Sequence, residues 1–168
     1  MRDRKLAVLI VFLCFALSHA YCQVVALAVG AVSGSPGSSV SVGLSLASAS
    51  GLQPAALQWT LGYSAADVAG VTWTVGTAGA AAGKSIACSG NTCILYGLNA
   101  NTISDGVVAV ASVWIAPTTL ATVIPIQTTG VVAATGAGDA IPASGNNGII
   151  AVNQPAAAPT FAPPPGTL

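Results

Sequence analysis

The chain has 168 residues, of which 54% are hydrophobic and 5% charged, and its formal net charge is zero. With four basic and four acidic side chains in all, it cannot build the cationic patch that nucleic-acid binding requires. High hydrophobicity with so little charge also excludes ordinary disorder over most of the length.

The N-terminus has three parts. Met1–Lys5 is short and basic, Leu6–Leu17 is an unbroken apolar run, and Ser18-His19-Ala20 places small residues before a cut. This is the pattern of a secretory signal peptide, residues 1–20, with a second possible cut after Cys22. The run is too short to span a bilayer, which takes about 20 apolar residues. Its removal takes away His19, the only histidine, along with Arg2, Asp3, Arg4 and Lys5. Lys84 then faces Asp67, Asp105 and Asp139 alone, a side-chain charge of about −2 at neutral pH. Such a surface offers little electrostatic resistance to self-association. About 145 residues remain, enough for one domain.

Beyond residue 22 the dominant period is two. Val24–Val32 is a candidate strand, closed by the Ser33–Gly37 turn cluster. Ser38–Ser48 alternates cleanly, with Val40, Val42, Leu44 and Leu46 on one face. Leu57–Tyr63 places Leu57, Trp59, Leu61 and Tyr63 together, opposite Gln58, Thr60 and Gly62. Val71–Val75 follows.

Gly76–Cys93 then contains Gly83-Lys84-Ser85, the tail of a phosphate-binding loop. The required Gly-x-x-x-x-Gly-Lys-Ser spacing fails, because Ala78 stands where glycine is needed and Gly79 is one residue too close. No helix pattern follows Lys84 to face a phosphate. Lys84 is expected instead to begin a strand, Lys84–Cys88, serving solubility and edge protection. Cys88 and Cys93 flank the turn-prone Ser89–Thr92. In an exported chain this spacing predicts a hairpin-closing disulfide, the alternative being two free buried thiols. Two cysteines without histidine cannot complete a zinc site.

Cys93–Leu98, Val107–Ile115, Val123–Val132 and Gly148–Val152 complete nine expected strands, the pattern of a β-sandwich or barrel. Asp105-Gly106 reads as a turn feeding the long Val107–Ile115 strand. Residues 154–168, rich in proline and alanine, are expected to be a disordered tail or linker.

The order of these segments carries a resemblance. "PGSSVSVGLSL", "LQWTLGYSAADVAGV", "LYGLNANTISDGVVAVASVWI" and "GNNGIIAV" resemble a cohesin domain over about Val24–Val152. Cohesins share a Pro-Gly turn before a strand, an aromatic-x-Leu-x-Tyr strand, a Ser/Thr-Asp-Gly turn before a long apolar strand, and a closing Asn-Gly strand. The resemblance implies a nine-stranded jelly-roll β-sandwich over residues 23–153. It also implies a non-catalytic module that holds a dockerin-like or other extracellular protein partner, in a polysaccharide-degrading or surface assembly. The chain departs from the family pattern where Tyr63-Ser64-Ala65 replaces Tyr-Asp-Pro. It departs again where the positions matching the dockerin-facing side of the aromatic strand are Ala56 and Gln58, which offer no charge.

No cofactor or metal is implied. The three acids of the mature chain are far apart in sequence, and a serine nucleophile would lack a histidine base, so an enzyme is not expected. Trp59 alternates with Leu57 and Leu61 and belongs to the core; Trp73 is ambiguous. Trp114 turns outward with Val108, Val110 and Ser112, and this row is more apolar than a solvated face, which suggests an interaction surface. The alternative is a segment that covers the row. The candidate binding-face residues are therefore Ala56, Gln58, Val108, Val110 and Trp114. A carbohydrate-binding module and a self-associating surface protein remain as alternative functions.

Overall fold

A computed structural model of the chain describes residues 25–49 and 51–156. The signal-peptide segment, Cys14, Cys22 and residues 157–168 lie outside the described residues.

Among the described residues, twelve strands and one short helix follow in chain order. They are β1 (Val25–Val29), β2 (Val32–Gly34), β3 (Ser39–Ser48), β4 (Ala56–Gly62), β5 (Val68–Val75), α1 (Thr77–Ala81), β6 (Ser85–Ser89), β7 (Thr92–Tyr96), β8 (Gly106–Ile115), β9 (Val123–Ala134), β10 (Ala140–Ile141), β11 (Ala143–Asn146) and β12 (Gly148–Val152). They form two sheets, one ordered β11-β1-β3-β8-β5 and the other β2-β12-β9-β4-β7-β6, with β10 on the end of β9. The expected sandwich is present. The single strand read over Val24–Val32 is in fact two, because the chain leaves one sheet after Val29 and joins the other at Val32. At the crossing, Gly30 N–H donates to the Gly43 carbonyl.

The alternation seen in the sequence becomes the core. Val42, Leu44 and Leu46 of β3, Leu57, Trp59 and Leu61 of β4, and Ala111, Val113 and Ile115 of β8 are all buried between the sheets. Trp59, fully buried, meets half-buried Trp73 of β5 edge-on, with ring centroids 5.5 Å apart, a favoured aromatic geometry.

Two bulges break the period. Between β3 and β8, Leu44 pairs with Ala109 but Ser45 pairs with Val107, so Val108 is an extra residue. Between β4 and β9, Gln58 pairs with Val132 but Thr60 pairs with Thr129, and Gly130 within the bulge has a φ of 58°. Glycine tolerates this left-handed conformation without strain. Each bulge reverses which side chains point inward beyond it.

The Gly76–Lys84 stretch has a packing role. A Cβ at Gly76 would lie 2.4 Å from the Val107 carbonyl oxygen, and one at Gly79 2.8 Å from that of Val108. Only glycine at these two positions lets α1 sit directly on the β8 backbone. The helix then stops in a double hydrogen bond, Gly83 N–H to Ala80 O and Lys84 N–H to Gly79 O, with Gly83 at a φ of 67°. That is the geometry of a glycine helix stop, which accounts for Gly83-Lys84-Ser85. Lys84 follows its helix, whereas a phosphate loop precedes one.

Lys84 is also not the exposed edge residue expected. It is 6% exposed, and its Nζ donates to Asn99 O at 3.1 Å and Asn99 Oδ1 at 2.9 Å. Desolvation lowers the pKa of this amine. The side chain ties the end of α1 to the 97–101 loop.

Candidate protein-binding faces

The β6–β7 hairpin is closed by the two-residue turn Gly90-Asn91, with Ser89 opposite Thr92. Gly90 has a φ of 56° and Asn91 does not have a positive φ, as a type II′ turn requires. Cys88 and Cys93 are direct cross-strand partners and are joined by a disulfide, with Cα atoms 4.1 Å apart. Cys93 is buried in the core and Cys88 is exposed at the sheet edge.

This hairpin supplies half of an apolar face. Gln58 of β4 pairs with Ile94 of β7 on one side and Val132 of β9 on the other. Ala56 pairs with Ala134. Directly paired residues share a face, so these side chains all project outward, while Leu57, Leu95 and Ala133 project into the core. Ile94, Tyr96 and Val132 are 40%, 43% and 50% exposed. Together with Ala56, Gln58 and Ala134 they line a shallow depression of about 220 Å³. Beyond it the face turns polar, where Thr60 Oγ1 and Thr92 Oγ1 lie 2.8 Å apart. The lining contains no Asp, Glu, His, Lys or Arg side chain.

The sequence placed Ala56 and Gln58 on this face and missed Ile94, Tyr96 and Val132. In Cys93–Tyr96 every residue is apolar, so period alone does not tell inside from outside. Val132 is turned outward by the Gly130 bulge; unbroken alternation from Ile124 and Ile126 would have buried it.

The other candidate row lies on the opposite sheet. Trp114 is 56% exposed on β8, as expected, and Val110 is half-buried on the same side. Val108 does not belong there and is corrected: it is 0% exposed. As the extra residue of the β8 bulge it faces inward beneath α1, and Gly76 N–H donates to its carbonyl at 2.9 Å. Val107 takes its place on the outer face, near Gly43. The five candidates therefore divide between two sheets: Ala56 and Gln58 on one, Val110 and Trp114 on the other, with Val108 in the core.

The carboxylates are used locally. Asp67 Oδ1 accepts from Thr119 Oγ1 at 2.6 Å. Hydrogen bonds from Thr119 and then Ser64 lower its pKa. Asp105 Oδ1 accepts from Ser48 N–H at 2.9 Å and from the Ser48 hydroxyl, which fastens the turn before β8 to the end of β3. Asp139 closes its own turn: its Oδ2 accepts from Thr135 Oγ1 at 3.5 Å, and its N–H donates to the same hydroxyl oxygen at 3.1 Å. Among the described residues no three His, Cys, Asp or Glu side chains gather as metal ligands. No helix among them is long and apolar enough to cross a membrane.

This strand order, two-sheet closure and burial define a cohesin fold. A type I cohesin of a cohesin–dockerin complex from Clostridium thermocellum is similar to this chain at 16% identity and a TM-score of 0.66, over 79% of this chain and 95% of that one. The sixth cohesin of scaffoldin B from Acetivibrio cellulolyticus, solved with a dockerin, matches at 18% identity and a TM-score of 0.65, over 77% and 99%. A non-cellulosomal cohesin from the archaeon Archaeoglobus fulgidus matches at 18% identity and a TM-score of 0.60, over 77% and 91%. No protein-family model matches the chain, and no curated protein matches it in sequence.

Proposed function

We propose that the protein is an exported, non-catalytic cohesin-like binding module that holds a dockerin-like protein on the β7–β4–β9 face. The observation that carries this reading is the uncharged depression around Gln58, with Ile94, Tyr96 and Val132 exposed on a cohesin fold. Exposed apolar side chains grouped on one face and rimmed by threonines are the features of a protein-interaction surface. The three acids are engaged as turn acceptors in separate loops, which supports a binding role over catalysis. The signal-peptide pattern and the Cys88–Cys93 bond both favour an oxidising, extracytoplasmic setting, in a polysaccharide-degrading or surface assembly.

The composition of the face sets the partner's chemistry. With Ala56 and Gln58 where charge would otherwise sit, the partner meets it with apolar and neutral groups. Its affinity then depends little on ionic strength, because no ion pair is screened.

The test is titration of the purified chain against a panel of dockerin modules by calorimetry, with Ile94→Asp and Tyr96→Ala beside it. Binding by at least one dockerin, weakened by about tenfold or more in each variant, supports the reading. Binding that neither variant alters would move the interface elsewhere, and silence across the panel would reject a dockerin-type partner.

A further inference from the structure

The outer face of the β11–β1–β3–β8–β5 sheet has a different chemistry. Trp114 pairs with Ser39 on β3 and with Gly70 on β5. One step along, Ser112 pairs with Ser41 and Thr72. These six positions share one face, and all but Gly70 are exposed. Ser39 Oγ and Ser112 Oγ lie 3.0 Å apart. A Cβ placed on Gly70 would meet nothing within 4 Å, so the floor on that side of the indole is open. The result is one large aromatic ring set in a flat field of hydroxyls, with no ionisable group at any of the six positions.

That composition selects among ligands. A phosphate, an acidic peptide or a lipid headgroup would find no counter-charge there. An apolar protein surface would strip water from four hydroxyls, of which only those of Ser39 and Ser112 have each other as partner, at a free-energy cost. A pyranose suits both parts. Its C–H face is apolar and matches the indole, while its rim of neutral hydroxyls can both donate to and accept from serine and threonine. The surface is an open sheet without walls, which suits a flat chain laid across it better than a single enclosed sugar.

We infer that the Trp114 face is a second binding surface, which takes a neutral β-linked polysaccharide chain with one sugar ring stacked on the indole. It is independent of the β7–β4–β9 face, since the two lie on opposite sheets.

The experiment is a depletion assay of the purified chain on microcrystalline cellulose and on chitin, with granular starch as a non-ribbon control. Variants are Trp114→Ala, Gly70→Gln and Ile94→Asp, each checked for fold by circular dichroism. The expected result is retention on cellulose or chitin. Retention falls by about tenfold or more in Trp114→Ala, as for loss of an anchoring aromatic. It falls likewise in Gly70→Gln, which keeps the indole and fills the floor beside it, and it persists in Ile94→Asp. The proposal is overturned by no retention on either polymer, or by retention indifferent to both Trp114→Ala and Gly70→Gln. It is also overturned if Trp114→Ala abolishes self-association or protein capture while leaving polysaccharide retention intact. Because Ile94→Asp tests only the protein-binding face, failure of one surface is distinguishable from failure of the other.

Discussion

Replacing Trp59 and Trp114 by alanine, one at a time, separates the inside of this sandwich from its surface. Trp59 is fully buried between the sheets. A tryptophan in that position removes roughly 200 Å² from water, which at about 25 cal/mol per Å² amounts to about 5 kcal/mol. Large-to-small core substitutions of aromatics fall in the same range, about 3–5 kcal/mol. The indole Nε1 of Trp59 has no hydrogen-bond partner among the described residues, so its loss orphans no other polar group. The penalty is then packing alone, and Trp59→Phe should retain more than about half of the stabilisation. Trp114 is 56% exposed, and its truncation should change stability by no more than about 0.5 kcal/mol. Urea denaturation followed by circular dichroism gives both values at unchanged m. Equal losses for Trp59→Ala and Trp114→Ala would mean that the outer face is covered, and the reasoning about both faces would fail.

Three further outcomes follow from the same contacts. Intact-mass measurement after alkylation without reductant should leave Cys88 and Cys93 unmodified, and the Cys88→Ser/Cys93→Ser pair should cost about 2 kcal/mol for so small a loop; labelling of both thiols in the native protein would disprove the bond. Lys84→Met should cost about 1–3 kcal/mol by removing the buried donor to Asn99, and, because the amine's pKa is lowered in the folded state, wild-type stability should rise with pH between that lowered value and about 10.4, a rise absent from Lys84→Met. Asp67, whose pKa is lowered chiefly by Thr119, contributes stability that is complete above about 3.9, its unfolded value, and is lost as pH falls through the folded value; carbon-detected NMR titration should find the Asp67 midpoint moved upward in Thr119→Val.

Alternation was enough to read most of the fold, because β3, β4 and β8 each bury one face and expose the other. It placed Trp59 and Trp114 correctly for that reason. It failed where the backbone inserts a residue. Val108 and Val132 both sit beside a bulge, and neither Ser45 nor Gly130 announces in sequence that the parity will change. The five-residue α1 was invisible for another cause: its alanines and glycines are chosen for close approach to β8, and so show no helical stripe. Ile94 and Tyr96 were hidden by the wholly apolar Cys93–Tyr96 run, whose inward side is fixed by pairing with Gln58 and Trp59 across the sheet. Lys84 looked like a surface cation because its carbonyl partners on Asn99 lie 15 residues away, a contact that no local pattern encodes.

The central claim is that the β7–β4–β9 face takes the protein partner. Amide hydrogen exchange of the chain, free and saturated with a dockerin that binds it, measures this directly. The account predicts new protection concentrated in β7 around Ile94 and Tyr96 and in neighbouring segments of β4 and β9, with exchange in β5 and around Trp114 unchanged. Protection confined to β5 and β8, with β7 exchanging as in the free protein, would contradict it.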